Sequence, residues 1–360
     1  MKLPIDIADV LLAALDIEKA RTVPVSVNIL IDETVSAEFQ AFVRAGFNSE
    51  APNSRVMVSY FPAQRPDPAV ACDLAIIAAG RSDEVPALAA AFEQAGTPVL
   101  VVAQDGEGIR ERAERAGHAL SADAVVCPQP GEAFGDEIRG QLADRIGSWI
   151  AEKCPEKRLA FSVAYPFVRR PLALHAVKTT SWQNAGVGVV VFVPGADMPI
   201  MTANQAKMVL QIAAAYGQPL GPERVKELVF VLLNGFVWRG IARQAAGVVP
   251  ALGWAVKGSL GFAGTQTIGH AAIEYFEGGG DVAGLASVVG KTTKAVSEAR
   301  ETVCNDPSFR SFASHAAPLA KKLAGTALEA AAPVAQSAAS TAVRGIKPAL
   351  KKRVRRRSGN

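Results

Sequence analysis

The chain has 360 residues, a length that predicts two domains rather than one small domain. Because 49% of the residues are apolar, a substantial core is also expected. Its four cysteines are far apart and form no CxxC pair, which excludes a disulfide framework or a zinc knuckle and fits a reducing compartment. Residues 1–21 carry acids within an apolar stretch, and they predict an N-terminal helix rather than a signal peptide.

The overall charge of +4 hides an uneven distribution along the chain. Residues 1–160 carry a net charge of −9, residues 161–343 carry +5, and residues 344–360 carry +8 with no acid. An acidic front half and a basic end predict two modules that face different partners.

Strand and helix patterns alternate over residues 22–155, which predicts an α/β module with a doubly wound, mostly parallel sheet. Apolar runs without alternation are typical of strands buried on both faces. Ser36 is the expected N-cap of the first helix in this module. The predicted strands are 23–31, 54–61, 73–79, 97–104 and 122–128, and the predicted helices are 36–47, 84–96 and 135–154.

A phosphate-binding loop should follow the first strand of a nucleotide-binding module, yet Asp32-Glu33-Thr34-Val35-Ser36 contains neither glycine nor lysine. Its two carboxylates would repel phosphates. Ala103-Gln104-Asp105 stands where a GTPase has Asn-Lys-x-Asp. A look-alike at 284–292 has five residues between its glycines where four are required, so we expect an ordinary helix there.

The order and spacing of these elements nevertheless resemble the GTPase domain of the Era-like and dynamin-like families. The resemblance implies a P-loop-GTPase-like fold without the P-loop, and hence no cofactor. An unrelated flavodoxin-like or receiver-like domain is the alternative.

From residue 160 to 310 the pattern predicts an all-α domain, interrupted by an apolar strand candidate at 187–193. Within it, residues 245–273 are rich in glycine and carry one charge, Lys257. A charge is costly inside an apolar helix, so we expect a helical hairpin that turns at Lys257-Gly258-Ser259, with neither arm crossing a bilayer. An Ala-rich helical segment, 311–343, and the basic tail, 344–360, follow. The predicted helices of the domain are 163–183, 202–216, 222–243, 247–276 and 281–303.

A Pro-Gly-Ala-Asp turn, a following helix with Gln and Met, a Tyr-Gly pair at its end and a glycine-rich hairpin at 250–276 occur in this order. Together they resemble the YcjF-type domain of unknown function, a bacterial family that often follows Era-like GTPase domains. The resemblance covers roughly residues 185–280 and implies no catalytic residue. The motif residues are Pro194, Gly195, Asp197, Gln205, Met208, Tyr216 and Gly217.

We predict structural roles for these motif residues. Asp197 or Thr202 can cap the helix, and Asn204 and Gln205 can hydrogen-bond to the neighbouring turn. Asp197 as an acid or metal ligand lacks a nearby His or carboxylate in the sequence.

Catalytic and metal-binding patterns give little support for an enzyme. His270 and Glu274 lie one helical turn apart without a second histidine, and no GxSxG elbow is present. We therefore expect neither a catalytic residue, nor a metal, nor a small-molecule substrate.

The sequence thus predicts a non-catalytic, membrane-associated or scaffolding protein, cytoplasmic and at the inner face of the cell membrane. Expected partners are an anionic membrane surface, another protein or a second copy. Nucleic acid is disfavoured because the basic tail has no interleaved aromatics. An NTP-binding switch and tail-mediated nucleic-acid binding are the alternatives. The residues expected to contact the anionic surface are Lys351, Lys352, Arg353, Arg355, Arg356 and Arg357.

Overall fold

A computed structural model describes residues 7–64, 66–132, 134–190, 197–223, 225 and 253–279 of the chain. Several predicted segments lie outside these residues. They are Pro194 and Gly195, most of the helix at 222–243, the helix at 281–303 with its look-alike motif, the Ala-rich segment and the basic tail.

Five parallel strands form one sheet in the order β2-β1-β3-β4-β5. The predicted α/β module with a parallel sheet is therefore confirmed. The order is that of flavodoxin-like doubly wound folds, in which the connections leave β1 and β3 towards opposite faces. The strands are β1 (Val25–Asp32), β2 (Ser54–Phe61), β3 (Leu74–Ala79), β4 (Val99–Ala103) and β5 (Val125–Val126).

Helices cover both faces of the sheet, so β3 and β4 are buried along their whole length. On one face lie α2 (Ala37–Gly46) and α5 (Asp136–Lys153), and on the other α3 (Val85–Gln94) and α4 (Gly106–Arg115). Ser36 caps α2 as predicted, because its hydroxyl accepts the N–H of Phe39.

The remaining helices pack on the same sheet face as α2 and α5. Here α7 contacts α5, α8 and α9, while α1 lies against α6 and α8. One continuous hydrophobic core joins the sheet to these helices, from Ile29 through Tyr165 to Ile273. The helical region that follows the sheet is thus confirmed, and it shares its core with the sheet. Its helices are α6 (Arg158–Ala164), α7 (Arg169–Val190), α8 (Asp197–Ala215) and α9 (Gly253–Glu277), and α1 (Ile7–Arg21), which precedes the sheet, packs against them.

Two predicted elements of this region are wrong. The strand candidate at 187–193 is helical as far as Val190, because α7 continues to that residue, and positions 191–193 lie outside the described residues. The next helix, α8, begins at Asp197 rather than 202. Pro199 is tolerated in its first turn, where the missing N–H would have no partner. Thr202 is therefore buried inside the helix and is not its cap.

The predicted turn at Lys257-Gly258-Ser259 is also wrong, because α9 is one helix of 25 residues through that point. Its glycines serve a different purpose. A Cβ on Gly261 would lie 2.7 Å from the carbonyl oxygen of Asn184, and one on Gly269 would lie 2.7 Å from Val177 Cγ1. Small residues at this spacing let the backbones of α7 and α9 approach closely. Among the described residues, no helix is long and apolar enough to cross a membrane.

Replacing Gly269 by alanine should test this close contact. We expect Gly269→Ala to lower the free energy of unfolding by about 1–3 kcal/mol, because the added methyl group meets the branched side chain of Val177. Gly140→Ala is the control, since nothing lies near its added Cβ, and it should raise stability by about 0.5–1 kcal/mol. Urea titration measures both. A neutral Gly269→Ala would contradict the close approach.

Candidate functional site

Asp32 ends β1 beside β3, at the point where an open α/β sheet normally binds its ligand. Its side chain is fully buried. The carboxylate accepts hydrogen bonds from the N–H and hydroxyl of Thr34, at 2.9 and 2.7 Å. It also accepts the N–H groups of Gly80 and Ser82 in the loop after β3, both at 2.9 Å.

This geometry makes Asp32 an internal anion. Backbone N–H groups that converge at a sheet edge are the donors that a phosphate would use. Here two of them, together with both donors of Thr34, are directed at a carboxylate of the protein itself. The sequence predicted only that Asp32 and Glu33 would repel phosphates. In the structure the two acids differ, because Asp32 is buried and accepts these hydrogen bonds, whereas Glu33 is exposed.

The loop after β3 closes tightly over this carboxylate. The Thr34 hydroxyl accepts the N–H of Arg81 at 2.6 Å, and Arg112 of α4 donates to the carbonyl of Gly80 at 2.6 Å. A Cβ on Gly80 would lie 3.0 Å from Asp32 Oδ2, so only glycine fits without a shift of the loop. Three segments are therefore held together around one buried charge.

A third loop, after β4, joins the same edge. Gln104 donates to the hydroxyl of Ser36 at 2.8 Å and accepts its N–H at 3.0 Å. Asp105 caps α4 by accepting the N–H of Gly108 at 3.0 Å. Both polar side chains of the Ala103-Gln104-Asp105 stretch thus hold loops and helix ends in place. Sequence reasoning missed the pairing of Gln104 with Ser36, which are 68 positions apart.

Other candidate chemistry is dispersed. In the part of the chain that the structure describes, no three His, Cys, Asp or Glu side chains gather to hold a metal ion. His270 and Glu274 are both exposed on α9.

The residues of the second sequence motif lie in the helical core. Asn184 of α7 donates to Thr265 of α9 at 2.9 Å and to the carbonyl of Met201 at 3.3 Å. It accepts from Asn204 of α8 at 2.9 Å, and Gln205 donates to Thr265 at 2.8 Å. The described bonds of Asn204 and Gln205 thus connect three helices, while the turn to which they were predicted to bond lies outside the described residues.

Gln205 is the incompletely satisfied member of this network. Its side chain is 3% exposed, and its Oε1 atom is buried with no donor among the described residues. Leaving a buried acceptor unpaired costs about 1–3 kcal/mol. Met208, one turn further on, is buried in the apolar core. The structure thus places Met208 in a packing role and leaves one polar atom at Gln205 without a described partner.

The Tyr216-Gly217 pair ends α8 against three other helices. Tyr216 donates to Glu277 of α9 at 2.8 Å, and Arg170 of α7 pairs with the same carboxylate at 2.7 Å. Burial, followed by this hydrogen bond, raises the pKa of Tyr216. Gly217 has a φ of +77°, which favours glycine at a helix end. Arg21 of α1 donates to the carbonyl of residue 218 at 2.7 Å.

Comparison with known proteins bears on this helical region. Residues 166–303 match DUF697, a domain of unknown function. The match begins at the turn before α7, includes the network of Asn184 and Thr265, and agrees with the YcjF-type resemblance of the sequence motifs. Neither a curated protein nor a solved structure matches the chain. Asp197, another motif residue, is the first residue of α8.

The role of Asp32 can be tested by removing its charge at constant shape. Asp32→Asn should lower the free energy of unfolding by about 2–4 kcal/mol, because an amide N–H₂ would face donors that now bind a carboxylate oxygen. Glu33→Gln is the matched control, and we expect a change within about 0.5 kcal/mol because Glu33 is exposed. Equal stability of the two variants in denaturant would contradict the internal-anion geometry.

The hydrogen bonds around Thr265 give a second prediction, in which substitutions of Asn184 and Gln205 have different effects on stability. Asn184→Ala should cost about 2–4 kcal/mol of unfolding free energy, since it removes three hydrogen bonds, among them the described acceptor of the Asn204 amide. Gln205→Met keeps the volume, loses one bond and removes an unpaired acceptor, so it should change stability by less than about 1 kcal/mol. Thermal or urea unfolding measures both. A cost above about 2 kcal/mol for Gln205→Met would mean that Oε1 has a partner.

Proposed function

We propose that this protein is a non-catalytic scaffold with a pseudo-GTPase-like α/β module followed by a DUF697 helical region. The module is GTPase-like by sequence resemblance and flavodoxin-like in its strand order, and its sheet edge leaves no free phosphate site. The observation that carries the proposal is the buried carboxylate of Asp32, whose four hydrogen bonds use the donors at the β1–β3 edge. A nucleotide phosphate would have to displace this carboxylate from a closed loop. Without a phosphate site at the sheet edge, the α/β module has a structural role.

The rim of this edge supports the same interpretation. Glu33, Asp83, Glu84 and Glu107 are all exposed near the ends of β1, β3 and β4. Glu84 and Glu107 lie at the N-terminal ends of α3 and α4, where an acid stabilises the helix dipole. The four acids outnumber the exposed Arg81 of the same loop, and a negative edge disfavours phosphate ligands and nucleic acid.

Membrane association rests on charge. The last 17 residues carry eight bases and no acid, and each base near an anionic leaflet contributes about 1 kcal/mol. We infer that the tail holds the protein at the inner face of the cell membrane, in the cytoplasm, while the folded part remains available to a protein partner or a second copy. Arg355, Arg356 and Arg357 are the densest part of this charge.

Flotation of the full-length protein with vesicles tests this proposal. We expect binding to vesicles containing phosphatidylserine, little binding to pure phosphatidylcholine, and release in about 1 M salt, where the Debye length falls to about 3 Å. GTP or ATP with magnesium should leave binding unchanged. Replacing Lys351 and Lys352 together by glutamine should weaken partitioning by about thirtyfold, because two bases contribute about 2 kcal/mol.

The matched control removes the same charge elsewhere. Lys178 and Lys207 are exposed on α7 and α8, and their replacement by glutamine should change partitioning far less than loss of the tail pair. Equal losses would assign binding to net charge alone. Nucleotide-dependent flotation would favour an NTP-binding switch, and salt-resistant binding that needs detergent for release would favour insertion.

A further inference from the structure

An apolar groove of about 410 Å³ lies between α2 and α5 and is closed at one end by the short turn before α7. Phe42 and Phe167 line it and are only half-buried, while Val43, Phe47 and Ile146 form its buried surface. Its volume is in the range of ligand and peptide pockets. The groove lies on the sheet face that α2 and α5 cover, opposite α3 and α4.

The rim of this groove is acidic. Glu38 of α2 and Asp136 of α5 both pair with Arg139, which lines the groove. Asp136 is almost fully exposed and Glu137 beside it is also exposed. Two carboxylates therefore pair with one guanidinium, and a third carboxylate is exposed next to Asp136 in the sequence, so the rim carries a net negative charge. The occupant best matched to this surface combines apolar side chains with positive charge.

The basic tail of this chain has that composition. In residues 344–360, Leu350 and Val354 lie four positions apart and follow Pro348. A helix tolerates proline in its first turn, so a helix beginning at Pro348 would place both apolar side chains on one face. Lysines and arginines occupy most positions between and after them. Helices that bind grooves use apolar anchors at such spacing.

The path of the chain favours the same occupant. Glu277, near the end of the described residues, pairs with Arg170 at 2.7 Å. Arg170 lies three positions after Phe167, so the chain leaves α9 next to the turn that closes the groove. The tail begins 65 residues beyond residue 279, and even a compact connection of that length can return to the groove.

We propose that the groove between α2 and α5 binds the protein's own basic tail, residues 344–360, through Leu350 and Val354, with the tail bases against Glu38, Asp136 and Glu137. The tail is then held on the α/β module or on an anionic surface, but not on both. This competition rests on the proposed membrane role, whereas the docking itself does not. The groove is thus an autoinhibitory site for the tail.

Carbodiimide cross-linking of the full-length protein tests the docking without any membrane, because it joins an amine and a carboxylate only when they are in contact. We expect Lys351 or Lys352 to cross-link to Glu38, Asp136 or Glu137 within one chain. The reaction is verified by the Lys157–Asp73 pair, whose atoms are 2.7 Å apart. High salt should reduce the tail cross-links several-fold and leave the Lys157 product nearly unchanged.

Ala41→Lys is the test variant, because Ala41 is exposed, lines the groove and lies one turn after Glu38. It should reduce the tail cross-links at least fivefold and increase flotation with anionic vesicles. Ala87→Lys is the matched control: it is exposed on α3, one turn after Glu84, and lies on the opposite sheet face. It should leave the cross-links unchanged.

Each other outcome overturns the proposal. Mixing isotopically light and heavy protein distinguishes a tail bound in its own chain from one bound to a second copy, and mixed products would assign the groove to dimer formation. Products from Lys321 or Lys322 of the Ala-rich segment at these acids would assign it to that segment. Absence of products, or products spread evenly to Asp9, Asp16 and Asp83, would leave no specific docking. If docking holds but flotation fails, the membrane role alone is wrong.

Discussion

A buried carboxylate must be surrounded by donors, and this constraint organises the sheet edge. Because Asp32 is fully buried, the loops after β1 and β3 must turn their N–H groups towards it. The position of Gly80, and the hold of Arg112 on its carbonyl, follow from that requirement. Gln104 and Ser36 extend the same arrangement to the loop after β4. The edge that usually binds a ligand is in this way filled and made rigid by the chain itself.

The helical region also buries polar side chains, and hydrogen bonds between its helices satisfy them. Its helices approach so closely at Gly261 that side chains from three helices can meet around Thr265. Such close contacts are typical of helices that pack through small residues and interhelical hydrogen bonds. The core nevertheless continues into the sheet through Tyr165, whose hydroxyl lies 2.9 Å from that of Ser54. The DUF697 match therefore covers helices whose stability depends partly on the α/β module.

Much of this fold could be predicted from local pattern, and the failures have physical causes. The buried strands were clear because parallel strands covered on both faces need unbroken apolar runs. The sequence did not predict α4, because Gly106, Ile109 and Ala113 are its only buried residues and give too short an apolar pattern. A hairpin was predicted for residues 250–276 because glycine weakens a helix. In the structure the glycines of α9 instead permit close contact with α7. The roles of Asp32 and Gln104 depend on partners 48 and 68 positions away, and no short motif encodes such pairs.

The uneven charge of the sequence acquires a structural meaning once the fold is known. Acids at the starts of α2 and α5 stabilise their own helices, yet the same acids flank an apolar groove that has no described occupant. A chain whose first 160 residues carry −9 and whose last 17 carry +8 can pair these charges within itself, present them to other surfaces or leave them solvated. If the tail binds both the groove and an anionic surface, as proposed, each attraction weakens the other by mass action. An anionic membrane, by binding the tail, would then expose the groove of the α/β module to a protein partner.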